Sequence, residues 1–118
     1  RVGERSGLGG RMERGEVRWC LFEPPDKERP VLILTNPDAI RHLNAVTIAP
    51  ITSTIRDVPS EVRLSIDDGM LTDCVVNLHG IITLKKKRVG RYITTLRSAR
   101  MREVDDAIRF ALGMDTGI

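Results

Sequence analysis

The sequence predicts a small, mainly β domain that ends in one helix. Three observations lead there. Six or seven short apolar runs of strand length are separated by turn residues. From Ser98 the spacing becomes helical, with Met101, Val104, Ile108, Ala111 and Leu112 on one face. The length of 118 residues supports one domain that buries enough surface to fold without staples. Small all-β chains of this size close into a barrel or pack as a sandwich.

Residues 1–12 are rich in glycine and charge and give little to bury, so a flexible tail is expected there, with Met12 as a candidate natural start. The domain proper is expected over 13–118. Glu16–Phe22 reads as a strand with Val17, Trp19 and Leu21 on one face and Arg18, Cys20 and Phe22 on the other. Trp19 is the large anchor available to a core, which favours packing over ligand contact. Pro24 and Pro25 cannot donate to a ladder, so Glu23–Glu28 is a turn. Pro30–Thr35 and Ala45–Ile51 are apolar and β-branched, as strands buried on both faces are. Between them Asn36 is a cap and Pro37 a first-turn residue, so Asn36–Leu43 reads as a short helical connection.

Glu61–Ser65 alternates like a half-exposed strand, and Asp67-Asp68-Gly69 is a turn signal. Cys74–Leu78, Ile81–Leu84 and Val89–Thr95 complete the strands. The run Lys85–Arg88 reads as a solvated turn, with a phosphate-steering patch as the sharper reading. Ser98 is the expected cap of a helix through Leu112, which Gly113 stops.

Composition narrows the function classes. A 41% apolar and 30% charged chain is an ordinary globular domain. Aromatic residues make up only 3%, which argues against a broad stacking platform for RNA. The net charge of +3 is mildly basic and compatible with a nucleic-acid ligand. Cys20 and Cys74 match no metal motif and read as buried small hydrophobes in a reducing cytoplasm. No apolar run reaches the roughly 18–20 residues that cross a bilayer, so no membrane partner is expected.

The candidate chemistry gathers at two strand ends. Arg29 stands at the entry of one apolar strand; Thr52, Ser53 and Thr54 stand at the exit of the next. If those strands are neighbours, a forked cation meets a cluster of hydroxyls, an arrangement suited to a phosphodiester. His42 and His79 fall in separate connections, so nothing in their spacing makes an acid–base pair. Asp67/Asp68 and Asp105/Asp106 are adjacent in sequence and do not face each other, so no metal site and no cofactor are expected.

Four motifs stand in order: R-G-E-V-R-W at Arg14–Trp19, R-P-V-L-I-L-T-N at Arg29–Asn36, A-P-I-T-S at Ala49–Ser53 and D-C-V-V-N at Asp73–Asn77. Together they resemble the MazF/PemK family of toxin endoribonucleases, across about Arg14 to Gly113. The resemblance implies an SH3-like barrel with a C-terminal helix, paired as a homodimer. It implies metal-independent cleavage of single-stranded RNA at short sequences in the cytoplasm, leaving a 2′,3′-cyclic phosphate and a 5′-hydroxyl. It further implies silencing by a cognate MazE-like antitoxin with an acidic tail, in a complex of the kind that binds DNA. The chain departs from the family before Arg29, where a longer Ser-Glu-Gln-Gly-Gly-like loop is missing, which leaves the RNA sequence preference open.

The resemblance assigns Arg29 and Thr52 to the catalytic centre. Arginine stabilises phosphate charge but is a poor proton carrier, its pKa exceeding about 12. Arg29 is therefore read as a clamp and Thr52 as a positioning group, with Glu28 and Glu23 as candidate proton carriers. The alternative for Arg29 is a salt bridge to Glu28 or Asp26. Asn36, Ser53, Thr54 and Asn77, with Trp19 and Lys27, are candidate RNA contacts; the uncharged four suit base edges and equally suit turn capping. Asp73 stands where the family has an acidic residue and is read as holding a loop. Two other readings remain: a gyrase poison of the CcdB kind, disfavoured by a C-terminus lacking tryptophan, and a nucleic-acid-binding barrel without turnover.

Overall fold

A computed structural model describes residues 11–23 and 27–114. Seven strands form one antiparallel sheet: β1 (Glu16–Leu21), β2 (Glu28–Ile33), β3 (Ala45–Thr52), β4 (Glu61–Leu64), β5 (Cys74–Asn77), β6 (Ile82–Lys85) and β7 (Val89–Thr95). A short α1 (Pro37–Ile40) joins β2 to β3, and α2 (Ser98–Ala111) follows β7. The strand order is β4-β5-β3-β2-β1-β7, with β6 also paired to β3. The predicted class, mainly β with a terminal helix, is the one observed. The ladder is not closed by hydrogen bonds, because β4 and β7 end it without pairing to each other.

β3 organises the sheet. Its first half pairs with β6 (Ala45↔Lys85 to Ile48↔Ile82) and its last residues with β5 (Ile51↔Val76, Thr52↔Val75). Its other edge holds β2, from Ile33↔Ile48 to Val31↔Pro50. Both faces are buried, as the continuous apolar runs predict. Val31, Ile33, Val46 and Ile48 join Cys20, Val89 and Met12 in one core. Leu32, Ala49 and Ile51 join Val17, Val62, Leu64 and Val76 in the other, under Val104 and Ala107 of α2. Burying Val104 completely contributes roughly 1.5–3 kcal/mol. Most of the tail expected over 1–12 lies outside the described residues, but Met12 is a core residue.

Several local expectations change. Asn36 does cap α1, accepting from the Asp38 backbone N–H at 2.7 Å, but the helix stops at Ile40. Ser98 is the first helical residue of α2 rather than its cap; Arg97 holds the cap position and makes no side-chain capping bond. Leu112 lies past the end of α2 and is 60% exposed, while Ala107 takes the buried position on the stripe. The face of β1 opposite Val17 and Trp19 holds Arg18, which is buried. Its Nε donates to Glu16 Oε1 (2.8 Å), Nη1 to the Gly90 carbonyl (2.9 Å) and Nη2 to the Arg11 carbonyl (3.2 Å). Those partners offset the desolvation of a buried cation. They also bridge β1 to β7 where the register between the two strands shifts on either side of Arg18.

Candidate functional site

A cavity of about 580 Å³ opens where β1, β2, β3 and β7 meet the 69–72 segment. The β2–β3 register ends at Val31↔Pro50. Carried two residues further, it sets Arg29 across from Thr52, where the strands separate into the cavity mouth. Both residues line the cavity, together with Glu28, Pro30 and Ser53. Antiparallel pairing of β2 with β3 thus brings both strand ends to one cavity.

The site's chemistry follows from these neighbours. Arg29 is exposed at the start of β2. Thr52 Oγ1 accepts from the Thr54 backbone N–H at 3.1 Å, which leaves its own O–H to donate. The Glu28 carboxylate lies 3.9 Å from the Arg91 guanidinium, so the alternative of a Glu28–Arg29 pair gives way to Glu28–Arg91. Asp26 lies outside the described residues. Arg91 also stands over the Trp19 ring, 6.0 Å from its centroid. Trp19 is only half-buried and lines the cavity, so it is not the core anchor that its size led one to expect. The small core does without it by packing aliphatic side chains.

The other candidates lie elsewhere. Glu23 accepts from Arg88 Nη2 at 3.1 Å and is absent from the cavity lining. Lys27, Thr54 and Asp73 are exposed and do not line it either. Asn36 is spent on α1, and Asn77 caps the turn Leu78–Gly80 by accepting from the His79 N–H at 3.0 Å. His79 Nδ1 bonds to the buried Ser60 hydroxyl, and His42 follows α1, so the histidines stay apart. In the basic run, Lys86 Nζ donates to the Ile40 carbonyl (2.7 Å) and Arg88 Nη1 to the Leu21 carbonyl (3.1 Å), so two of its four cations are structural.

The far wall is the part that sequence reasoning missed. It consists of Gly69, Met70, Leu71 and Thr72, with Cys74, Tyr92 and Ile93 beside them. The preceding turn is anchored by Asp68, whose side chain is fully buried. Its carboxylate accepts from Arg100 Nε (3.0 Å), Arg97 Nη2 (3.3 Å) and the Ser65 backbone N–H (2.9 Å). Burial alone would push this carboxyl up, but those hydrogen bonds and the Arg100 charge outweigh it and hold the pKa below the ordinary range. Gly69 has φ +96° and lies against Thr94, so the wall turns sharply there. Cys74 has its thiol pushed up by burial, then by Asp73 and Asp68. Among the described residues, no group of three or more His, Cys, Asp or Glu side chains is arranged to hold a metal ion. No described helix is long and apolar enough to cross a membrane.

Comparison with known proteins agrees with this fold. The family model described as "PemK-like, MazF-like toxin of type II toxin-antitoxin system" matches residues 13–112. A curated relative, "Probable endoribonuclease MazF2" of Mycobacterium tuberculosis, is 35% identical over 103 residues, covering 86% of this chain and 99% of its own. Among solved structures, the Mycobacterium tuberculosis toxin MazF-mt6 matches with a TM-score of 0.78 and 33% identity, covering 85% of this chain and 98% of that one. An endoribonuclease in complex with its cognate antitoxin, from a mycobacterial species, matches with a TM-score of 0.78 and 30% identity, covering 87% and 96%.

Proposed function

The chain belongs to the PemK-like, MazF-like toxin family of type II toxin–antitoxin systems, and we propose that it is an endoribonuclease that cuts single-stranded RNA at short sequences in the cytoplasm. The observation that carries this reading is the convergence of Arg29 and Thr52 on one open cavity, with Glu28 beside them. RNA supplies its own nucleophile. The 2′-oxygen attacks the adjacent phosphorus, the bond to the 5′-oxygen breaks, and the products are a 2′,3′-cyclic phosphate and a 5′-hydroxyl. The protein has to orient that attack, neutralise charge on the non-bridging oxygens and handle two protons.

Arg29 suits the charge. Its guanidinium offers two parallel donors to phosphate oxygens. Thr52, with a free O–H, fixes the phosphate relative to the attacking oxygen. Glu28 is the carboxylate on the cavity lining and is the group to accept the 2′-hydroxyl proton, while solvent water gives the departing 5′-oxygen its proton. With charge stabilisation supplied by Arg29, the reaction is proposed to need no metal. Ser53 and Trp19 are the remaining sequence-predicted contacts in reach of the strand.

The same opening is where an antitoxin's acidic, extended tail would compete with RNA, since both carry negative charge to Arg29. A homodimer silenced by such a tail is part of the reading; one relative of 30% identity was solved with its cognate antitoxin. Incubating the pure protein with a long RNA in EDTA and mapping the ends tests the activity. New 5′-hydroxyl ends at a recurrent short sequence, lost in Arg29→Ala, are expected. Intact RNA over several unrelated sequences would overturn the reading, and salt-sensitive binding without new ends would replace it with a non-catalytic barrel.

A further inference from the structure

We infer that Tyr92 is a base-stacking residue of the cavity, holding the nucleobase next to the phosphate that Arg29 clamps. The inference rests on the nuclease reading for its substrate and on separate observations for its site. The chain has one tyrosine and one tryptophan, and both line the same cavity. In a protein so poor in aromatic residues, that pairing is a local concentration of flat, polarisable surface. Single-stranded RNA is recognised largely by laying its splayed bases on such rings.

Tyr92 is also built to stay in place. Its ring is 51% exposed in the middle of β7, where a polar or β-branched side chain would serve the strand as well. The guanidinium carbon of Arg18 lies 5.9 Å from the ring centroid. Arg18 is buried and held by Glu16, Gly90 and Arg11, so it backs one face of the ring and leaves exposure to the other. The Tyr92 hydroxyl is tied to Thr95 Oγ1 at 2.7 Å, which fixes the ring edge. A ring held from below and at its tip loses little further freedom when a base lies on it. Arg18 is thus a positioning residue for Tyr92, and the cation behind the ring strengthens its interaction with a stacked π system.

The cavity volume agrees. About 580 Å³ is far more than a phosphate needs and is within the range of pockets that take nucleotide-sized ligands. Arg29 and Thr52 account for the phosphate end; Tyr92 and Trp19 account for the rest.

The test separates stacking from turnover. A 2′-O-methyl RNA has no nucleophile, so it cannot be cut. A set of such strands carrying 2-aminopurine reports stacking by fluorescence quenching, whatever the fate of the nuclease reading. Wild type should quench. Tyr92→Phe keeps the ring but loses its tie to Thr95, so it should still quench, with an affinity between those of wild type and Tyr92→Leu. Tyr92→Leu, of comparable bulk but with no ring, should lose the quenching and bind about 5- to 150-fold more weakly, the span of one stacked base. On cleavable RNA the same change should raise KM far more than it lowers kcat. Equal quenching and affinity in wild type and Tyr92→Leu, or no quenching by the wild type, would overturn the proposal. Failure of the nuclease reading shows separately, as intact unmodified RNA beside unchanged quenching.

Discussion

The two walls of the cavity are built by different means. The wall carrying Arg29, Thr52 and Trp19 is made of strand ends whose ladders run back into cores on both faces of the sheet. The wall of residues 69–72 has no ladder. It is held by one buried carboxylate, Asp68, to the two arginines that open α2, and by a glycine in a conformation other residues resist. The strand wall separates chemistry from stability, because its reactive groups are exposed extensions of a frame that stands without them. The loop wall has no such separate frame behind it.

The largest effect should come from the strand wall and should be purely catalytic. Arg29→Ala removes the charge clamp, so kcat/KM should fall about 10³-fold, or roughly 4 kcal/mol of transition-state stabilisation. Because Arg29 is exposed, the thermal midpoint should stay within a degree or so of wild type, on the order of the ±0.5 kcal/mol typical of surface changes. A large drop in midpoint would break the contrast between the walls.

Next is the loop wall. Asp68→Ala leaves the half-buried Arg100 with Glu103 as its remaining partner and the Ser65 N–H without its side-chain acceptor, a loss of roughly 2 kcal/mol. Calorimetry should show a midpoint about 8–16 °C lower for a domain of this size. Hydrogen exchange should quicken first at 69–72, ahead of the strands. An exchange pattern that loosens uniformly would contradict a locally held wall.

Thr52→Val keeps shape and removes one hydroxyl, so a loss of about 1 kcal/mol, near 5- to 10-fold in kcat/KM, is expected with a normal fold. The smallest effect is read by acid titration. Asp68 has its folded pKa held below the unfolded value, so its contribution is fully present above about pH 4, the unfolded carboxylate range. It is lost as pH falls through the lower folded pKa. Asp68→Asn should flatten that part of the stability profile; an unchanged acid limb would show that the carboxylate contributes nothing there.

The strand wall was legible in the sequence and the loop wall was not. Continuous apolar runs at 31–35 and 45–51 announce strands buried on both sides, and a short connection makes them neighbours, so the meeting of Arg29 with Thr52 follows from register. Asp67-Asp68-Gly69 announces only a turn. That its second carboxylate is buried depends on arginines 29 and 32 residues later, and no local pattern marks such a pair. Alternation puts Arg18 on the face opposite Trp19 but does not show that it is buried; that depends on partners on β7 and on Arg11, distant in sequence or outside any local pattern. Ser98 offered a good cap residue, yet the chain enters α2 one position earlier.

Asp68 ties the loop wall to the start of α2, and that sets how the molecule can change over time. On the strand side, replacing an exposed group alters what is recognised without endangering the fold, so variants there survive to be selected. On the loop side, any replacement of this carboxylate is penalised as misfolding before its effect on recognition can be tried. New target preferences should therefore accumulate along β1, β2 and β7, while the turn around Asp68 drifts little.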